Sequence, residues 1–251
     1  MTTMAGLEDI LRRDRLWVLG TLAALTLVAW AYLVAWAAGM DAGAAMEMRP
    51  WTPGYAFMMF IMWAIMMVGM MLPSATPVML LHARVCRRRL GRVAHTGAFL
   101  CGYLVVWTIF SAGATALQWV LAELALLSPA MTATSPAFGA TVLVAAGLYQ
   151  FTSWKHACLA HCRSPIDFLA RRWRQRTTGA MSMGIEHGAY CVGCCWLLMA
   201  ILFVAGIMDL LWIAAITAFV LVEKAAPAGR HLTRFGAVGL ILAGIAMAVT
   251  A

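Results

Sequence analysis

The sequence predicts an all-α fold, a polytopic transmembrane bundle of about seven helical spans with its N-terminus in and its C-terminus out. Three observations predict it. Of 251 residues, 64% are hydrophobic and 11% are charged, where a soluble domain carries about 25% charged residues. So few charges cannot cover a water-facing surface, and lipid is the solvent for much of the chain. Apolar runs near the roughly 20 residues that a spanning helix needs recur along the whole length. The basic residues, finally, are segregated. Arg12, Arg13 and Arg15 precede the first run, and Arg84, Arg87, Arg88, Arg89 and Arg92 follow the second. Lys155, Arg163, Arg171, Arg172, Arg174 and Arg176 share one connection, and Lys224, Arg230 and Arg234 share another. With seven spans, all of the 18 basic residues except Arg49 fall on one side. Lys and Arg accumulate in cytoplasmic loops, so that side is the cytoplasm. The net charge of +8, which in a soluble protein would suggest nucleic acid, follows from this placement, and no nucleic-acid partner is expected.

In order, the spans are expected at about 17–38, 54–72, 97–121, 137–154, 187–207, 210–224 and 235–250, and the chain 1–251 forms a single integral membrane domain. The first run lacks a small-residue cleavage pattern and reads as a retained span. Pro73 and Pro77 should kink or end the second helix near its inner end. The fourth span, continued helically past Trp154, would put Cys158 and Cys162 on one face. Asp209 marks a tight turn that separates the fifth span from the short sixth. The connection 155–183 is too small for a separate domain. No internal repeat supports an inverted-repeat transporter. A multi-pass protein of a cell membrane, the bacterial inner membrane above all, is the expected setting.

The chemistry lies in two segments, LYQFTSWKHACLAHCRSP and MSMGIEHGAYCVGCCWLLM. Cys158 and Cys162 are four apart, with His161 three from Cys158, and residues so spaced share a helix face. His187, Cys191 and Cys194 fall within roughly 60° on a helical wheel, and Cys195 about 80° from His187. Both groups belong to inner ends of neighbouring spans and can converge. Thiols facing the cytoplasm stay reduced, so ligation or redox chemistry is expected before structural disulfides. Thiolates and imidazoles suit copper(I) or zinc, with iron a further possibility. A lone thiol such as Cys101 reads as buried apolar packing. His82 and Cys86, another i, i+4 pair, read as solvated interface. Glu186 is placed to partner His187 or to join the ligands. Glu223 and Lys224 end the sixth span either as a functional buried pair or as snorkelling side chains.

Methionine occurs 19 times. Met58, Met62, Met66, Met59 and Met70 occupy an arc of roughly 120° on the second span. Met46 and Met48 flank Glu47 in the connection before it. Thioethers bind copper(I) without deprotonation, so Met46, Met48, Met58, Met62, Met66 and Met70 trace a possible path from outside to the Cys/His cluster. The competing explanation for the stripe is flexible packing. Together with the cluster, it makes copper the leading metal.

The segments MLPSATPVMLL, GLYQFTSWKHACLAHCRSP, HGAYCVGCCWLLM and LLWIAAITAFVLVEKAAP resemble a bacterial family of predicted metal-binding integral membrane proteins. The resemblance covers roughly 54–227. It implies metal binding and marks Cys158, His161, Cys162, His187, Cys191, Cys194, Cys195, Glu223 and Lys224. The family carries a basic residue where this chain has Glu186. The leading function is therefore copper(I) transport or delivery, with the bilayer, the ion and a membrane or metallochaperone protein as partners. A membrane metalloenzyme, a thiol oxidoreductase and a subunit of a larger complex are the alternatives. A transmembrane thiol relay usually needs thiols at both faces, and the outer connections contain no Cys.

Overall fold

The structure, a computed structural model, describes residues 2–41, 50–90, 94–128, 130–226 and 229–250. Met46 and Met48, the outermost residues of the expected metal path, lie outside them. Among the described residues the regular elements are all helices: α1 (Thr2–Asp41), α2 (Pro53–Leu90), α3 (Ala94–Glu123), α4 (Pro136–Tyr149), α5 (Ser153–Arg163), α6 (Pro165–Arg172), α7 (Arg176–Ala200), α8 (Leu202–Ala205), α9 (Leu210–Ala225) and α10 (Gly229–Val249). Five helical stretches among the described residues are long and apolar enough to cross a membrane: Arg13–Gly39, Pro53–Arg88, His95–Glu123, Arg176–Ala205 and His231–Val249. This is a multi-span helical membrane protein.

The other two expected spans correspond to shorter helices. The run 137–154 is helical only to Tyr149. There Gln150 N–H turns back to the Gly147 carbonyl, and Thr152 begins a new helix by accepting a bond from Lys155 N–H at 3.2 Å. Cys158 and Cys162 therefore share α5, a helix separate from α4. The run 210–224 is α9, which Asp209 caps by accepting from Leu211 and Trp212 N–H. The turn before it passes through Gly206 at φ +115°, a left-handed conformation that suits glycine.

α2 lies at the centre, packed against α1, α3 and α9. Its Met59, Met62, Trp63, Met66, Met67, Met70 and Met71 are all buried, and at 100° per residue they cover about half the circumference. Pro73 and Pro77 lie inside a continuous helix rather than ending it. Pro73 has no N–H for the Gly69 carbonyl, and the Trp30 indole of α1 donates to that oxygen at 3.3 Å. A neighbouring helix thus restores the bond that proline removes, as membrane helices require. α3 and α7 run parallel in close contact: a Cβ on Gly184 would stand 2.0 Å from the Phe99 carbonyl oxygen, and one on Gly102 would stand 2.2 Å from that of Met181. Small residues at such crossings let two backbones approach.

The helix ends that carry basic residues meet at one end of the bundle. Arg87 at the end of α2 pairs with Asp14 of α1. His82 meets Thr96 at the start of α3, and His95 meets Thr177 at the start of α7. Arg163 of α5 donates to the Ala226 carbonyl beyond α9. Two expectations fail here. His82 and Cys86 are buried rather than solvated, because His82 packs between Phe99 and Trp173. Cys101 is exposed rather than buried, on a helix face that the protein does not cover.

Candidate metal centre

All seven cysteines are free thiols, and α5 and α7 bring five of them together. Cys191, Cys194 and Cys195 are fully buried on α7. α5 lies across them and brings Cys162 beside Cys191 and Cys194. Cys158 rests over Gly193, where a Cβ would stand 2.8 Å from its Sγ, so glycine at 193 is what admits α5 to the cluster. Tyr149 holds the same place from α4 by donating to the Gly193 carbonyl. α5 lies outside the spanning helices. Burial and the adjacent Cys194 push the Cys158 thiol up, and the neighbouring Cys191 and Cys194, with burial, push Cys162 well up. Both thiols of α5 therefore rest protonated at neutral pH, and ligation through either would release a proton.

Cys191 is the hub. Lys224 Nζ donates to its Sγ at 2.9 Å and to Ser74 Oγ at 3.1 Å. Tyr103 Oη lies 3.2 Å from the same sulfur and donates to the Met71 carbonyl at 3.1 Å. The methionine series of α2 arrives here too: Cys195 Sγ is 3.9 Å from Met71 Sδ, midway along that helix. The sequence-derived path ends at Met70, but its neighbour Met71 makes the contact.

The two histidines differ. His187, one turn before Cys191, is buried among Phe99, Tyr103 and Phe168. Its Nδ1 has no hydrogen-bond partner, an orphaned atom beside the thiols. His161 turns away: its Nδ1 donates to the Ala157 carbonyl at 2.8 Å, and its ring stacks on Tyr190 at 4.1 Å. Glu186 pairs with Arg172 at 3.2 Å.

Glu223 and Lys224 are both buried and point in different directions. Lys224 meets the thiols. Glu223 lies 2.8 Å from Lys155 Nζ and accepts from Thr233 at 2.6 Å, while Lys155 also donates to Gln150. The snorkelling alternative fails because these side chains turn inward to partners. Sequence reasoning missed Lys155, which it placed only among the basic residues of one cytoplasmic connection, and it missed Ser74, Tyr103 and Met71. Thr152 as a helix cap was an available signal for Lys155. None existed for Tyr103, which is 88 positions from Cys191. A cavity of about 740 Å³ lined by His156, Arg163, Lys224 and Arg234 opens beside the cluster at the basic end.

The donor set, thiols with a thioether and an unpartnered imidazole, fits a soft monovalent cation. Among the described residues, no group of three or more His, Cys, Asp or Glu is arranged to hold a metal ion. Cys194 and Cys195 donate to the Cys191 carbonyl at 3.1 and 3.0 Å. Each thiol would give up that bond with its proton on becoming a thiolate ligand.

A family model described as PpoB2, copper chaperone, matches residues 60–247. No curated protein and no solved structure matches the chain.

Proposed function

This chain belongs to the copper-chaperone family, and from that premise we propose that it carries copper(I) along the methionine-lined α2 to a thiol site facing the cytoplasm. The ligands would be Cys158, Cys162, Cys191, Cys194 and Cys195, completed by His187 or, after rotation, His161. The observation that carries the reading is the 3.9 Å contact between Met71 and Cys195, where a buried thioether series abuts a buried thiol cluster. Thioethers hold copper(I) as neutral ligands, whereas thiolates add charge. An ion exchanged from Met71 to Cys195 therefore moves toward stronger donors, and the proton displaced from sulfur leaves toward the basic end. Lys224 offsets the negative charge that collects on Cys191. From there the ion would pass to a soluble or membrane-bound acceptor through the cavity beside Lys224.

The test replaces Met62, Met66 and Met70 together by Leu. Such swaps keep volume and apolarity and usually cost less than ~1.5 kcal/mol each, so the variant should insert. Copper uptake by cells should fall to background at matched expression. The purified variant, loaded directly, should keep the wild-type thiol-bound copper. Uptake at the wild-type rate would remove the path and leave a membrane metalloenzyme or a cytoplasm-facing metal store.

A further inference from the structure

Toward the N-terminal end of α2, away from the thiols that meet this helix midway at Met71, Gln118 of α3 is buried and donates from one amide nitrogen to two methionine sulfurs, Met59 Sδ and Met131 Sδ, each at 3.6 Å. Its orientation is fixed from the other side, where the Trp63 indole donates to Gln118 Oε1 at 2.8 Å. A primary amide is unfavourable in an apolar interior unless hydrogen-bonded, and thioether sulfur is a weak acceptor. Leucine at 118 would leave the Trp63 indole without its acceptor, so the oxygen of Gln118 serves Trp63. Its nitrogen meanwhile draws two thioethers toward one point, no further apart than twice their common distance from that nitrogen.

Met131 is held there against its backbone preference. Its φ is +59°, in the left-handed region that non-glycine residues seldom occupy. The loop enforces it: Met131 N–H donates to the Ser128 carbonyl at 2.8 Å, and Ile207 N–H donates to the Met131 carbonyl at 3.3 Å. Leu127 and Ala133 form an antiparallel bridge around the same turn. Strain of this kind collects at ligand clamps.

We propose that Met59 and Met131 form a second soft-metal site, a two-thioether entry site for copper(I) at the head of the α2 methionine series, with Gln118 as its positioning residue. The choice of ion rests on the copper reading above. Each thioether sulfur has two lone pairs, so a sulfur that accepts one N–H bond keeps another for the cation. Met side chains have three rotatable bonds, which lets the two sulfurs close on an ion without moving the helix. No proton is released and copper stays in its +1 state. The site works where thiols would be oxidised, and the ion leaves it for the methionines further along α2.

The full-length chain, purified in detergent, is titrated anaerobically with copper(I) against a chelator, and bound copper is read by stoichiometry and X-ray absorption. The wild type should show two classes, a tight one bound by thiols and a weaker one of about one equivalent bound by thioethers. Met59→Leu with Met131→Leu should lose the weaker class and keep the tight one, and Met181→Leu should keep both. Gln118→Leu, which leaves both sulfurs in place, should weaken the thioether class about tenfold or more. Cys191→Ser with Cys194→Ser should do the reverse of the Met pair; if it binds as much copper as the wild type, the thiol reading fails while the entry site stands. An unchanged weak class in the Met pair overturns the entry site. A measurement on the unmutated sequence guards against misfolded variants. Protein grown with selenomethionine should show copper–selenium scattering once the thiols are saturated, and its absence overturns the proposal whatever the variants do.

Discussion

Lys224 sets an ammonium against a thiol inside the bundle, which gives the cluster a fixed positive charge to offset bound thiolate. A charge-assisted hydrogen bond is worth about 1.5–3 kcal/mol, so under the proposed copper(I) reading Lys224→Met should weaken copper(I) retention by the thiols roughly 10- to 100-fold. Lys224→Arg, which keeps the charge, should lose less. Dialysis against a copper(I) chelator followed by metal analysis reads both, and wild-type retention in Lys224→Met would dismiss the electrostatic role. The neighbouring residue answers to a different partner. Glu223 and Lys155 form a salt bridge with both side chains fully buried. Removing one member of a buried pair typically costs about 3–5 kcal/mol, because the other charge is left uncompensated. Glu223→Ala should destabilise the protein by about that much in unfolding by SDS titration. Lys155→Met combined with Glu223→Leu should be milder than Glu223→Ala, and a double variant worse than the single one would show that the pair is not the source of the loss. Helical spacing alone made the common face of His187 and the α7 cysteines legible, but it also grouped His161 with them, which turns to the Ala157 carbonyl and Tyr190 instead. It could not reveal that adjacent Glu223 and Lys224 separate toward different helices, since that depends on which elements flank α9.

The helices were legible from hydropathy and the ends of α9 from Asp209, but the end of α4 was not, because the apolar run continues beyond Tyr149 while the backbone turns. Thr152 decides that boundary locally, as a cap for α5. Helix pairing left even less trace in the sequence. Gly102 and Gly184 look like any other glycines in apolar runs, yet they fix the approach of α3 to α7 and so place Tyr103 against Cys191. Gly184→Ala should force the two helices apart, since its Cβ would stand 2.0 Å from the Phe99 carbonyl oxygen. Overpacking usually costs about 1–3 kcal/mol, and the shift should also loosen copper from the thiols. Gly113→Ala, on the same α3 with nothing within 4 Å of the new Cβ, should be neutral or slightly stabilising, because alanine favours helix over glycine by roughly 0.8–1.0 kcal/mol. Thermal unfolding by size-exclusion fluorescence compares the two; equal melting temperatures would mean that α3 and α7 do not need this contact.

For the whole molecule, the charge pattern and the packing meet in one place. Basic residues with partners far away in the sequence, as Arg87 is 73 positions from Asp14, gather at one end of the bundle, the end beside which the thiols and the cavity lie. An orientation with that end in the cytoplasm satisfies the preference of Lys and Arg for cytoplasmic loops and keeps the thiols in the reducing compartment. Both depend on the same placement, so one labelling experiment tests them together. Arg172, whose side chain is 47% exposed at the basic end, is replaced by Cys, and intact cells are treated with a membrane-impermeant maleimide. Arg172→Cys should label only after the membrane is permeabilised, whereas Met46→Cys, introduced separately, should label in intact cells, each measured against the wild-type background. Labelling of Arg172→Cys from outside would invert the molecule: the thiols would then face oxidising surroundings, the methionine series would lead away from the cytoplasm, and the chain would be an exporter or an outward-facing copper donor.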